Sequence, residues 1–125
     1  MADPAKLASL FAAGRLAFGA GLIAAPGKVA GGWIGADADR PAARIAVRGL
    51  GARDVALSGG ALAARDDEAR LARWVAAAVV CDLADIGITL ATPADALPSN
   101  ARWGTVALAG ASALAGAVLY RALDR

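Results

Sequence analysis

The chain has 125 residues, 58 % of them apolar, and a net charge of +2 whose cations are scattered rather than gathered in one stripe. That length suits one domain and not two, and the scattered charge excludes a dedicated nucleic-acid surface, for which two Phe and one Tyr offer little stacking area in any case. The absence of His and the single Cys, Cys81, remove His metal sites, bis-His haem, His general bases and an internal disulfide, so no cofactor and no metal is expected.

In chain order, the first long apolar segment runs near Leu7 to Ala25. Asp3-Pro4 predicts its start, as an N-cap followed by Pro at the first helical position, and Pro26-Gly27 predicts its stop. Lys6 before this segment and Ile23-Ala24-Ala25 at its end resemble a signal peptide. Arg15 interrupts the apolar run that such a peptide requires, and the segment is expected to be retained. Gly27 to Arg40 reads as a longer loop. The second segment, near Ala42 to Ala64, opens on Arg40-Pro41. A short charged link from Arg65 to Arg70 follows, with Asp66, Asp67 and Glu68 where a helix dipole favours negative charge. The third segment runs near Ala72 to Thr92 and ends at Thr92-Pro93. A short link from Pro93 to Asn100 leads to the fourth segment, near Trp103 to Tyr120, with Ser99 or Asn100 as its cap.

A membrane-spanning helix needs about 20 mostly apolar residues, and all four segments have that length. Short links join antiparallel neighbours. The expected fold is therefore all-α, a single domain forming an up-down bundle of four transmembrane helices. A soluble Ala-rich bundle would show polar faces at helical spacing. The fourth segment, whose only hydroxyls are Thr105 and Ser112, has none.

Lys6, Arg65, Arg70, Arg73, Arg121 and Arg125 fall on the side of the two termini, against Lys28, Arg40, Arg44 and Arg102 on the other. The excess places both termini in the cytoplasm. Trp74 and Tyr120 then belong at the inner interface, Trp33 and Trp103 at the outer one. The excess of Arg over Lys fits a GC-rich bacterial genome, and the expected location is a bacterial plasma membrane.

Six ionisable residues fall at membrane depth: Arg15 on the first segment; Arg48, Arg53 and Asp54 on the second; Asp82 and Asp85 on the third. Each charge near a helix centre costs about 2.5–3.5 kcal/mol, whereas each Ile, Val or Leu returns only roughly 0.3–0.6 kcal/mol. The second helix should insert poorly alone and take its counter-charges from Asp82 and Asp85. Those two lie about 60° apart on one helical face, which Thr89 continues. Relative to Arg48, Arg53 projects at about 140° and Asp54 at about 240°. That spread calls for a fully enclosed helix or a second copy covering one face. The expected network joins Arg53 or Arg48 to Asp82 or Asp85, with Arg15 added from the first helix. Its roles are a structural ion-pair network that fixes helix register, or a site that binds a ligand or moves protons.

Small residues form a second pattern. Thr105, Ala109, Ala113 and Ala117 recur every four residues, as do Ser112 and Gly116, and Gly14 and Gly19 lie on the first helix; such ridges allow close helix packing. Gly49-Leu50-Gly51 and Gly59-Gly60 are read as packing positions, with a break in the second helix as the alternative. Asp37-Ala38-Asp39 reads as a solvated loop rather than a metal pair. The Asp82–Asp85 pair lacks the further carboxylates and basic cluster of a magnesium-diphosphate site. Cys81 reads as a small core residue.

The combination Arg15-Leu16-Ala17-Phe18-Gly19, Arg48-Gly49-Leu50-Gly51-Ala52-Arg53-Asp54 and Asp82-Leu83-Ala84-Asp85 resembles a group of small actinobacterial integral membrane proteins grouped as a domain of unknown function. Their pattern is a helix ending in Ala-Pro, a Gly-Ala-Arg-Asp motif and paired aspartates. The resemblance spans most of the chain, implies the membrane fold and brings no activity with it.

The leading functional expectation is a non-enzymatic membrane protein, an accessory subunit or small oligomer that binds a lipid or a partner helix. A proton- or ion-coupled transporter using the Asp/Arg cluster is the alternative. An enzyme acting on a membrane-embedded substrate through Asp82 or Asp85 is the third class. A cavity reaching Asp85 favours transport; a dry, fully paired cluster favours structure; a lipid-sized pocket beside Asp82 favours the enzyme.

Overall fold

The computed structural model describes residues 2–125 and is helical throughout, with no strand among the described residues. The helices are α1 (Pro4–Ala24), α2 (Pro26–Ile34), α3 (Pro41–Ala63), α4 (Glu68–Ala91) and α5 (Ser99–Leu123); short 3-10 turns at Gly35–Asp39 and Ala94–Ala96 complete the chain. The four long helices hold 21, 23, 24 and 25 residues. At about 1.5 Å per residue, each is as long as a bilayer core is thick.

The helix starts follow local chemistry. The Asp3 carboxylate accepts the Ala5 amide at 2.9 Å, and Pro4 opens α1 where a missing N–H costs nothing. Pro41 opens α3 in the same way. The Asp67 carboxylate accepts the Arg70 amide at 3.1 Å, so α4 begins at Glu68, four residues before the expected start.

Two expectations fail here. Pro26 does not begin a loop. It ends α1 and opens the nine-residue α2, because a proline that cannot continue one helix suits the first position of the next. α2 stops at Gly35, whose φ of 69° is open to glycine and strained for other residues. Neither Ser99 nor Asn100 caps the fourth long helix; Pro98 precedes it, Ser99 is its first residue, and no side chain caps it.

Two tight helix pairs make the bundle, α1 on α3 and α4 on α5. Glycine permits the first crossing. A Cβ on Gly19 would stand 2.7 Å from the Gly51 carbonyl oxygen, and one on Gly51 would stand 2.6 Å from that of Gly19. α3 runs unbroken through Gly49 and Gly51, so Gly51 is a packing residue and the alternative of a broken helix does not hold. In the second pair, Ala109, Ala113 and Gly116 are buried, and a Cβ on Gly116 would meet Val79 at 2.6 Å. Gly14 differs from its expected packing role: nothing lies within 4 Å of the position its Cβ would take.

The radial arrangement is inverted relative to a water-soluble bundle. The most enclosed residues are mainly Ala with a few larger aliphatics, and they include Asp54, Ser58 and Asp82. Leu10, Ile45, Val80, Ile88, Leu114 and Val118 are each more than half exposed. Helices α1, α4 and α5 are long and apolar enough to cross a membrane. α3 matches them in length but carries Arg44, Arg48, Arg53 and Asp54.

Candidate functional site

Each long helix contributes one polar residue near its midpoint, and the four converge. Arg15 of α1 donates from Nη2 to Asp54 Oδ1 of α3 at 2.9 Å, and from Nη1 to Asp82 Oδ2 of α4 at 2.7 Å and Ser112 Oγ of α5 at 2.6 Å. The Phe11 ring lies beneath the guanidinium, 5.8 Å from its carbon to the ring centroid. The ion-paired side chains are 12 %, 7 % and 6 % exposed for Arg15, Asp54 and Asp82. The fork geometry of guanidinium explains why Arg holds this position, since a lysine ammonium could not present two nitrogens to three acceptors on separate helices.

Beside it, Arg53 binds Asp85 with two parallel hydrogen bonds of 3.0 and 2.6 Å. This bidentate pair is looser in its surroundings, with side chains 33 % and 27 % exposed.

The assembly lies between two apolar clusters. One holds Ala8, Ala12, Ala61, Ala64, Leu71, Ala72, Val75 and Leu123 at the end of the bundle that carries both termini. The other holds Leu22, Ala30, Ala38 and Val47 at the opposite end. Low-dielectric layers above and below raise the cost of any unpaired charge between them.

Five of the six charges singled out in the sequence meet here; Arg48 does not. It is exposed, and its Nε donates to the Ile23 carbonyl oxygen at 3.2 Å. Ile23 is in the last turn of α1, where carbonyls lose their helical donors, and Arg48 supplies a charged one. Arg15, not Arg53, is the centre of the network.

Arg102 does the same for α4, and nothing in the sequence pointed to it beyond its charge. Its guanidinium donates to the carbonyl oxygens of Thr89 at 3.2 Å, Thr92 at 2.9 Å and Leu90 at 3.3 Å. Asp37 and Asp39 pair with Arg40 and Arg44 at the surface, but from a 3-10 turn that buries Ala38 rather than from the solvated loop expected. Trp33 is half-buried and donates from its indole nitrogen to Thr105 Oγ1 at 3.0 Å.

A cavity of about 630 Å³ opens between the two helix pairs. Its floor includes Arg15, Arg53, Asp54, Asp82 and Asp85, with Thr89, Thr105 and Ser112 as hydroxyls. Phe11, Phe18 and Trp33 are among its walls, and Gly14 leaves its space unfilled. Leu10, Ile88 and Leu108 also line it and are more than half exposed, so the cavity opens onto the outer surface of the bundle. The stripe of Asp82, Asp85 and Thr89 read from helical spacing does face one space. The cavity itself and the part played by Ser112 were missed. The signal for Ser112 was its place as one of two hydroxyls on an apolar segment, read there as a packing position.

No family model, no curated protein and no solved structure matches the chain.

Proposed function

We propose that this is a four-span membrane protein, non-enzymatic, that binds an amphipathic molecule such as a lipid in the cavity between its helix pairs. The observation that carries the reading is the cavity: about 630 Å³, in the range of small-molecule sites, apolar at the mouth and charged on the floor. The exposed aliphatic surface and the three apolar helices support burial in a bilayer. α3 crosses as the fourth span because Arg15 and Asp85 on its neighbours balance Asp54 and Arg53. Arg48 lies seven residues from Pro41; its long side chain can reach the interface. Kinship with the small actinobacterial membrane proteins of unknown function, a bacterial plasma-membrane location and cytoplasmic termini belong to the same proposal. So does a second copy or partner helix over the α3 face that bears Ile45 and Arg48, both exposed.

Coupled transport of protons or ions is the second reading, and it draws on one observation: the cavity reaches Asp85. The cavity also borders Asp82. Acid–base catalysis needs a carboxyl free to exchange its proton, and Asp82 and Asp85 are held by Arg15 and Arg53 at 2.7 and 2.6 Å.

The test is native mass spectrometry of the protein extracted from its own membranes in a mild detergent. The expected result is retention of about one amphiphile per chain, and its loss in Gly14→Phe, which places a ring in the open space beside Gly14. A lipid-free wild-type chain, or equal retention by the variant, would overturn the proposal.

A further inference from the structure

With all its carboxyls ionised, the cavity floor is not electrically balanced. Arg15 and Arg53 face three carboxylates, Asp54, Asp82 and Asp85, which leaves one negative charge in excess. Arg15 is shared by two of those carboxylates and satisfies one oxygen of each, Asp54 Oδ1 and Asp82 Oδ2. The other oxygens, Asp54 Oδ2 and Asp82 Oδ1, accept no hydrogen bond from the described residues, yet neither is among the sealed polar atoms. The unsatisfied guanidinium donors behave oppositely: the Nε atoms of Arg15 and Arg53 are fully buried, out of reach of anything in the cavity. What the protein offers a guest is therefore free acceptor oxygens and one formal negative charge in excess; the donors left over are spare N–H groups of guanidiniums already ion-paired and the neutral Thr89 and Ser112 hydroxyls.

We infer that the cavity selects a protonated, long-chain amine, with its ammonium head against Asp54 and Asp82 and its chain leaving past Leu10, Ile88 and Leu108. This rests on the binding reading given above and adds the class of ligand to it. Three features agree. The head supplies the missing positive charge, which a low-dielectric site rewards more than water does. Its N–H groups meet the free carboxylate oxygens as charge-assisted hydrogen bonds. Phe18 and Trp33 line the same space beyond the Phe11 ring that Arg15 already covers, and aromatic rings near a cation attract it. An anionic head would add to the excess negative charge. A bare inorganic cation would leave the apolar mouth unused.

The test uses the full chain in zwitterionic lipid nanodiscs and four probes with the same brominated twelve-carbon chain. Their heads are a primary ammonium, a trimethylammonium, an alcohol and a sulfate. Bromine quenches tryptophan, and Trp33 lines the cavity; the readout is saturable quenching lost in both Trp33→Phe and Gly14→Phe. The primary amine is expected to bind at least about tenfold more tightly than the alcohol or sulfate, as one charge-assisted hydrogen bond implies. The trimethylammonium, which keeps the charge and lacks the donors, is expected to fall between. Asp82→Asn, in nanodiscs whose circular dichroism matches the wild type, is expected to weaken the amine by about the same tenfold factor. Equal or tighter binding of the sulfate or alcohol overturns the amine assignment and leaves the binding reading standing. Displacement of the amine by an equimolar sodium salt also overturns it. No saturable quenching by any probe overturns both.

Discussion

Arg15 and Asp82 lie 67 residues apart in the chain, and their side chains meet at 2.7 Å in the middle of the bundle. The same guanidinium holds Asp54 and Ser112, so one residue ties all four long helices together. Loss of Arg15 leaves two buried carboxylates without a cation. Arg15→Met is expected to cost at least about 3–5 kcal/mol, the range for breaking one buried pair. It should lower the melting temperature in detergent sharply or prevent accumulation of the folded protein. A variant that melts with the wild type would show that the network adds nothing to stability.

The Arg53–Asp85 pair is separable, because neither partner is shared with another strong ion pair. Asp85→Leu alone should destabilise by less than Asp82→Leu, since the Arg53–Asp85 pair is about a third exposed rather than sealed in the interior. The double variant Arg53→Met with Asp85→Leu should recover most of the loss in thermal unfolding. The corresponding double variant of Arg15 and Asp82 should not, because Asp54 remains buried and unpaired. Equal recovery in the two cases would contradict the four-helix arrangement.

Gly19 and Gly51 should tolerate no larger residue. Gly19→Leu drives a side chain into the α3 backbone and is expected to cost about 1–3 kcal/mol from overpacking. Gly14→Ala on the same helix meets nothing and should stabilise by about 0.5–1 kcal/mol through helix propensity. Denaturation in a fixed detergent distinguishes them, and the opposite order would mean that α1 does not cross α3 at Gly19.

Arg102→Ala should free the last turn of α4. Three carbonyl oxygens lose a cationic donor, a change of about 1–2 kcal/mol by the helix-terminus and charged hydrogen-bond scales. Hydrogen exchange near Ile88–Thr92 should accelerate while Arg15 and its surroundings stay protected. Unchanged exchange there would show that the cap is idle.

The protein should resist a carbonate wash, and a reporter fused after Arg125 should be active in the cytoplasm. In mild detergent it should have at least a dimeric mass, because the α3 face with Ile45 and Arg48 lacks a cover. Release by carbonate would sink the membrane reading, a reporter active only outside the cell the orientation, and a strictly monomeric mass the oligomer.

The sequence by itself determined the helical class, the four long segments and the mid-helix position of Arg15, Asp54 and Asp82, because each rests on local information. Apolar run length, Pro at helix starts and a 100° step per residue act within one segment. That step also put Asp82, Asp85 and Thr89 on one face. Tertiary structure alone decided which charge meets which. Arg48 lies on the same helix as Arg53 and at comparable distance from a helix end, yet it caps α1 while Arg53 binds Asp85. Rotation of α3 about its axis makes that choice, and the Gly19–Gly51 crossing fixes that rotation. The cavity is likewise invisible in one dimension. It exists because Gly14 and the small residues of α5 leave space between two helix pairs that pack more tightly within themselves than against each other, and packing density is a property of facing surfaces rather than of any one segment.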